Sequence, residues 1–309
     1  MKLKFIDLCA GIGGFHYALH NIGWECVYAS EIDKTARRVY ENNFKKISPK
    51  IFHNENEFFN DDIFKFDTNE KIKKISDFDV ICAGFPCQPF SQIGKKKGFG
   101  ENYEGRGNIF FKLIDIIEIK KPKVIFLENV RHITKHDEGR TFKRIESEIR
   151  KLDYSFYHKV IRASDFGLPQ HRPRTFMIGF KNERIEDSYF KFPASITLKK
   201  TISDIFEGSC DRDIGFTLRL GGMGSGINDR RNWDSYMVDG KVVKLQPLHA
   251  LKMQGFNTTF KLPKSRTVSL RLLGNSVAVN VIKHIGLQIE KYLTSKKEFR
   301  KNTQIEIKI

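Results

Sequence analysis

Short apolar runs alternate with longer segments of mixed polarity over the first two thirds of the chain. Lys4-Phe5-Ile6-Asp7-Leu8 reads as a buried strand, and a glycine-rich turn then opens a helix at about Phe15 to Asn21. Glu25 to Ala29 reads as a second strand, followed by a helix from Asp33, a side chain suited to N-capping, to Asn43. Phe78 to Cys82 and Val124 to Leu127 are further short apolar strands. Between them lie the Gly- and Lys-rich stretch Gly94 to Gly107 and a helix over Ile109 to Ile119. A helix over Asp137 to Leu152, then strands over Phe156 to Ile161 and Thr175 to Phe180, extend the pattern. Such alternation predicts βαβ units, hence an α/β fold on a doubly wound, mostly parallel sheet.

After about Lys181 the pattern changes. Residues 184–270 have little helical periodicity, many turn residues and the run Gly221-Gly222-Met223-Gly224-Ser225-Gly226. They predict a smaller, irregular, β-rich domain. A helix returns over Val277 to Leu293, and the charged tail from Ser295 is expected to be loosely held. The chain therefore divides into 1–183, 184–270, and a segment over 271–309 that returns to the first domain.

Composition narrows the function classes. Hydrophobic residues make up 40% of 309, enough for a real core. No run of apolar residues is long enough for a membrane span, and the charged start Met1-Lys2-Leu3-Lys4 is unlike a signal peptide, so a cytoplasmic protein is expected. The five cysteines, an odd number without a CxxC pair, argue against a disulfide framework and against a metal site. Basic residues exceed acidic ones by 54 to 37, a net charge of +17, which points to a polyanion such as nucleic acid. A solvated lysine-rich surface would give the same excess, so charge alone leaves the partner open.

Asp7-Leu8-Cys9-Ala10-Gly11-Ile12-Gly13-Gly14-Phe15 places glycines between a strand and a helix, where backbone can approach a ligand and helix N–H groups face it. The spacing is GxGG, not GxGxxG, which weakens a dinucleotide reading. Glu31, at the second strand's end, suits a ribose diol, and Asp62-Ile63 occupies a third strand end, where an acid can meet an adenine amino group. Taken alone the glycines are equally compatible with an ordinary tight turn. Together the three features suggest a nucleoside without a pyrophosphate, for which S-adenosylmethionine is the natural candidate.

Cys87, in Gly84-Phe85-Pro86-Cys87-Gln88, lies just past the carboxyl end of a core strand, whereas Cys82 is within that strand and reads as core. Glu128-Asn129-Val130 closes the next strand, and a carboxylate there is costly to bury unless it binds something. Gln170-His171-Arg172-Pro173-Arg174 begins a further strand. A thiol, a carboxyl group and two guanidinium groups are thus offered to one cleft. Addition of a thiolate to C6 of cytosine makes C5 able to attack an electrophilic methyl group, and an acid at N3 stabilises the charge that develops. The base must leave the duplex to be reached. The loop Ile93 to Gly107, with Lys95, Lys96, Lys97 and Arg106, is placed to close over DNA and touch phosphates.

Over almost its full length, to about Leu293, the chain resembles bacterial C5-cytosine DNA methyltransferases of the restriction–modification type. The resemblance rests on ordered stretches: Ala10 to Gly14, Pro86-Cys87-Gln88, Glu128-Asn129-Val130, Gln170-x-Arg172-x-Arg174 and Gly274-Asn275-Ser276-Val277. Lys244 to Pro247 and Met253 to Phe256 resemble the segment that supports the family's target-recognition domain. The resemblance implies that Cys87 attacks C6, Glu128 contacts N3, Arg174 lies near the base and Arg172 supports the site. It implies S-adenosylmethionine contacts from Phe5, Leu8, Gly11, Gly13, Glu31, Ile32, Asp62, Ile63, Pro86, Asn275 and Val277. Cys9 stands where the family usually has phenylalanine, so adenine packing at that position is open.

Residues 184–270 are then expected to read double-stranded DNA, with Arg219, Asn228, Arg230 and Arg231 as candidates. Each arginine is equally suited to a phosphate contact, and Trp233 reads as a core anchor. The expected enzyme is a monomer that protects host DNA from a cognate restriction endonuclease. Alternatives are a tRNA cytosine-C5 methyltransferase and a non-catalytic DNA-binding homologue; an oxidoreductase fits least, given the glycine spacing.

Overall fold

In the computed structural model, which describes residues 2–52, 59–60, 62–65, 68–86, 109–182, 190–219 and 221–306, the apolar runs become a seven-stranded sheet. Its elements in chain order are β1 (Lys4–Leu8), α1 (Gly14–His20), β2 (Glu25–Ser30), α2 (Lys34–Phe44), β3 (Phe59–Asn60), α3 (Asn69–Lys73), β4 (Val80–Gly84), α4 (Ile109–Lys120), β5 (Val124–Val130), α5 (Arg140–Lys151), β6 (Tyr157–Arg162) and β7 (Pro173–Phe180). The spatial order is β3-β2-β1-β4-β5-β7-β6. The first five strands run parallel, and β7 lies antiparallel between β5 and β6. The chain winds outward from β1 to β3, then restarts beside β1 at β4. That reversal opens a crevice at the carboxyl ends of β1 and β4, where such sheets bind ligands.

Helical crossovers cover both faces of the parallel strands, so these strands read as unbroken apolar runs. Side chains alternate between two core clusters, as strand geometry requires. Phe5, Val80, Cys82, Val124 and Phe126 face one, and Ile6, Leu8, Ile81, Ala83, Ile125 and Leu127 face the other. Cys82 is fully buried, as its position in the strand predicts. Asp33 caps α2, accepting from the Thr35 and Ala36 N–H groups.

Three expectations change. The helix expected from Asp137 begins at Arg140, because Asp137, Glu138 and Gly139 take φ of 52°, 55° and 83° and break the helical path. The helix expected over Val277 to Leu293 runs from Val279 to Glu306. Beyond Lys181, strand structure among the described residues is limited to one hairpin, β8 (Ser235–Val238) with β9 (Lys241–Lys244), and scattered bridges. The remainder holds α6 (Ile202–Phe206), α7 (Pro247–Gln254) and α8 (Arg266–Asn275), ahead of α9 (Val279–Glu306). The boundary expected at 270 falls inside α8. Ala250, Leu251 and Met253 explain α7: their spacing buries one helical face, a period hidden among turn residues. Trp233 is buried, as expected of an anchor. No helix among the described residues is long and apolar enough to cross a membrane.

Candidate active site

At the carboxyl end of β1 the backbone bends through left-handed conformations at Cys9, Gly11 and Gly13. Gly13 admits no side chain, since a Cβ would lie 2.3 Å from the Phe44 ring. Gly11 faces open space, with nothing within 4 Å of an added Cβ. Its N–H donates to Glu31 Oε2 at 2.7 Å, while the Asp33 N–H donates to Oε1 at 2.8 Å. Glu31 follows the last residue of β2, which is why the two strand ends meet. Burial pushes its carboxyl pKa up, and the two backbone donors work against that shift. Ile32 beside it is 59% exposed, an apolar side chain left uncovered. Asp62 accepts the Phe64 N–H and Ile63 is buried.

From the carboxyl-terminal segment, Val277 reaches this edge: one methyl group lies 2.6 Å from where a Cβ on Gly14 would go, and the other is in ordinary contact distance, 3.8 Å, of a Cβ on Gly84. Asn275 and Pro86 are exposed nearby in the chain, at the ends of α8 and β4. Phe5 and Leu8, on β1 beneath this edge, have side chains fully buried in the core clusters. Burial, then the charges of Glu31, Asp7 and Asp62, push the Cys9 thiol pKa up and hold it neutral.

On the other side of the crevice β4 leads through Gly84, Phe85 and Pro86 toward Cys87. Cys87 lies outside the described residues, as do Lys95, Lys96, Lys97 and Arg106. The partner of Gly84 across the sheet is Glu128, at the end of β5. The Glu128 carboxyl group is buried, with Arg174 Nε 3.0 Å from its Oε1. Register explains the pairing: Arg174 on β7 lies opposite Val130, two residues on from Glu128. Burial pushes the Glu128 pKa up, and the charges of Arg174 and Arg172 pull it back less strongly. A carboxyl group that holds its proton above the ordinary range can donate to a ring nitrogen. Asn129 Nδ2 donates to the Phe85 carbonyl at 2.9 Å and so ties the two strand ends together. Asn129 sits in the Glu128-Asn129-Val130 motif without a role apparent from the sequence; a buried amide beside the acid is the signal for it.

Arg172 is oriented differently from Arg174. Its guanidinium group is buried and donates to the carbonyls of Leu218, Gly274 and Ser276. Gln170 accepts the Leu218 N–H and donates to the Met253 carbonyl, and Gln254 donates to the Leu273 carbonyl. Arg172 therefore ties the start of β7 to two distant segments, at Leu218 and at Gly274 to Ser276. Gln254 was missed in the sequence, although a glutamine within the apolar face of α7 was its signal.

The DNA-reading candidates Arg219, Asn228, Arg230 and Arg231 are all exposed. Arg231 makes a fork to the Asp229 carboxylate, and Arg219 donates to the Arg231 carbonyl at 2.9 Å. Gly222 lets that turn close, since a Cβ there would lie 2.1 Å from the same carbonyl oxygen. The Arg219 backbone packs on Gly274, where a Cβ would meet it at 3.3 Å.

A model of the C-5 cytosine-specific DNA methylase family matches residues 3–219 and 223–291. The Type II methyltransferase M.HhaI of Haemophilus parahaemolyticus is 34% identical over 333 positions, covering 95% of this chain and 96% of that protein. M.DsaV of Dactylococcopsis salina is 34% identical over 334 positions, covering 97% and 90%. Among solved structures, the S. pombe Dnmt2 methyltransferase superposes with a TM-score of 0.66 at 19% identity, covering 94% of this chain and 99% of that one. The Entamoeba histolytica methyltransferase EhMeth gives 0.66 at 18% identity, covering 96% and 99%. At such identity the two structures speak to the fold alone.

Proposed function

The chain belongs to the C-5 cytosine-specific DNA methylase family and is a DNA (cytosine-5-)-methyltransferase; from that premise we propose that Cys87, Glu128 and Arg174 act on a cytosine flipped out of a specific double-stranded sequence. The Cys87 thiolate adds to C6 and makes C5 nucleophilic. Glu128, protonated, donates to N3 as negative charge develops on the ring. Arg174 holds that carboxyl group from the side and lies near the base. After methyl transfer a water molecule takes the C5 proton, the C5–H electron pair forms the C5=C6 bond, the C6–S bond breaks to release the Cys87 thiolate, and N3 returns its proton to Glu128. The observation that carries this reading is the buried Glu128 carboxyl group, with its raised pKa, paired with Gly84 three residues before the thiol.

The other crevice edge fits S-adenosylmethionine, which when bound supplies the electrophilic methyl group. Each oxygen of Glu31 already takes one backbone N–H and keeps a lone pair for a ribose hydroxyl. Ile32 offers an apolar surface to the adenine, Asp62 an acceptor for its amino group, and the open space over Gly11 leaves room for the ligand. Gly13, Ile63, Pro86, Asn275 and Val277 complete the assignment.

We assign 1–183 to catalysis and cofactor binding, 184–270 to target recognition through Arg219, Asn228, Arg230 and Arg231, and 271–309 to completion of the first domain. Lys95, Lys96, Lys97 and Arg106 would hold phosphates. The Type II relatives support a role in protecting host DNA from a restriction endonuclease of matching specificity, by a monomeric cytoplasmic enzyme. Cys87→Ser is the test. It should abolish methyl transfer to duplex DNA while cofactor and DNA binding persist, and robust transfer by the variant would sink the mechanism. Offering duplex DNA and tRNA side by side checks the substrate class, and sequencing methylated cytosines in DNA from expressing cells identifies the target.

A further inference from the structure

We propose that Arg271 is a positioning residue for cofactor binding: it fixes Glu31, through Asp33, in the orientation that receives a ribose diol. The inference rests on the S-adenosylmethionine reading above. Arg271 Nη1 donates to Asp33 Oδ2 at 2.6 Å, joining α8 to the start of α2 across most of the chain. Asp33 Oδ1 is engaged by the Thr35 and Ala36 N–H groups, and the Asp33 N–H donates to Glu31 Oε1. Gly11 holds Oε2 from the opposite side. One line of contacts therefore runs from α8 to the acid expected to bind the ribose.

Geometry makes α8 the fixed end of that line. At its amino end Arg266 donates to the fully buried Asp234 at 2.8 Å and to the Leu245 carbonyl at 3.0 Å. At its carboxyl end the Gly274 carbonyl accepts from Arg172. Arg271 and Asn275 are four residues apart, so the cation shares a helical face with the asparagine assigned above to the cofactor. Residues 31–33 are a short connection between β2 and α2, with Ile32 exposed, held by the Gly11 N–H at Glu31 and by the α2 cap at Asp33. Without Arg271 the cap of α2 survives on its two N–H donors, while the turn gains freedom and Glu31 loses its preset orientation. The pair is about one third exposed on each side, 32% and 33%, so it adds little to global stability. Its effect falls on the ligand, because a binding carboxylate must be ordered before it can make two hydrogen bonds at once.

The test uses the full chain with Arg271→Met, Arg271→Lys, Asp33→Asn and the Met/Asn double variant. S-adenosylhomocysteine binding is measured by calorimetry, and methyl transfer is measured on duplex DNA. Arg271→Met should raise the Kd for S-adenosylhomocysteine and the KM for S-adenosylmethionine about five- to tenfold, with kcat within about twofold. Tm should stay within about 2 °C of the parent. Lys should restore most of the affinity, because the contact is a single N–H···O bond and not a fork. Asp33→Asn should match Arg271→Met, and the double variant should add nothing further. The loss should also vanish with the 2′-deoxy analogue of S-adenosylhomocysteine, which a general loosening of the fold would not produce. Unchanged affinity in Arg271→Met, additive losses, or an equal penalty with the deoxy analogue would each overturn the proposal. Failure of the parent chain to bind S-adenosylhomocysteine would instead overturn the cofactor reading.

Discussion

Arg172→Met tests whether this arginine acts on the base or on the chain. The substitution keeps much of the side-chain length and removes the guanidinium group. Three carbonyl oxygens then lose a donor: Leu218, at 3.1 Å from Nη1, Gly274, at 2.9 Å from Nη2, and Ser276. A buried acceptor without a partner costs about 1–3 kcal/mol. Gln254 also reaches the Ser276 carbonyl at 3.3 Å, so the third loss is partial. Relief of the desolvation cost of the buried cation offsets some of the total. The net expectation is about 3–5 kcal/mol, a large share of the ~5–15 kcal/mol typical of a domain. With an unfolding entropy of about 2.1 cal/mol/K per residue over 309 residues, Tm should fall by about 5–8 °C. Calorimetry reads that shift, and limited proteolysis reads whether the chain around Leu218 and Arg219 comes loose. Arg172→Lys should lie between, keeping charge but reaching fewer carbonyls. If Arg172→Met melts within a degree of the parent while kcat drops by orders of magnitude, the guanidinium group works on the base and the brace is wrong.

Glu128→Gln should lower kcat about 10²–10⁴-fold, and the parent's activity should fall as pH rises through the raised Glu128 pKa while the residual rate of the variant does not; pH–rate profiles check this. Above the ordinary carboxyl range of about 4.3, the folded state holds a proton that the unfolded chain has released, so this group's contribution to stability is lost as pH rises through the raised value. The variant should therefore gain Tm relative to the parent at pH 8 and not at pH 4, and a lower melting point at pH 8 would contradict the burial argument. Gly222→Ala places a Cβ 2.1 Å from the Arg231 carbonyl oxygen at a φ of +87° and should displace the turn that carries Arg219. Its expected signature is a DNA Kd raised at least about tenfold with S-adenosylhomocysteine affinity unchanged, read by fluorescence anisotropy and calorimetry.

The sheet was legible because its parallel strands are buried on both faces and therefore appear as short apolar runs. The strand-end positions of Glu31 and Glu128 followed from the same runs, since a carboxylate closing an apolar strand is locally conspicuous. The cap at Asp33 was equally local, set by one side chain and the two N–H groups after it. The region beyond Lys181 was harder. Its buried residues take partners far along the chain, as in Gln170 with Leu218 and Met253, so no short period announces them.

The sequence by itself determined the strands, the residues at their carboxyl ends and the family to which those residues point, because each depends on neighbours within a few positions. Only the tertiary structure decided how two arginines two residues apart divide their work. Arg174 turns to Glu128, which antiparallel pairing of β7 with β5 brings beside it. Arg172 turns instead to the carbonyls of Leu218, Gly274 and Ser276, which are separated from it by 46 to 104 residues. A buried guanidinium group goes where acceptors lack donors, and which carbonyls those are is settled only when the distant segments have packed.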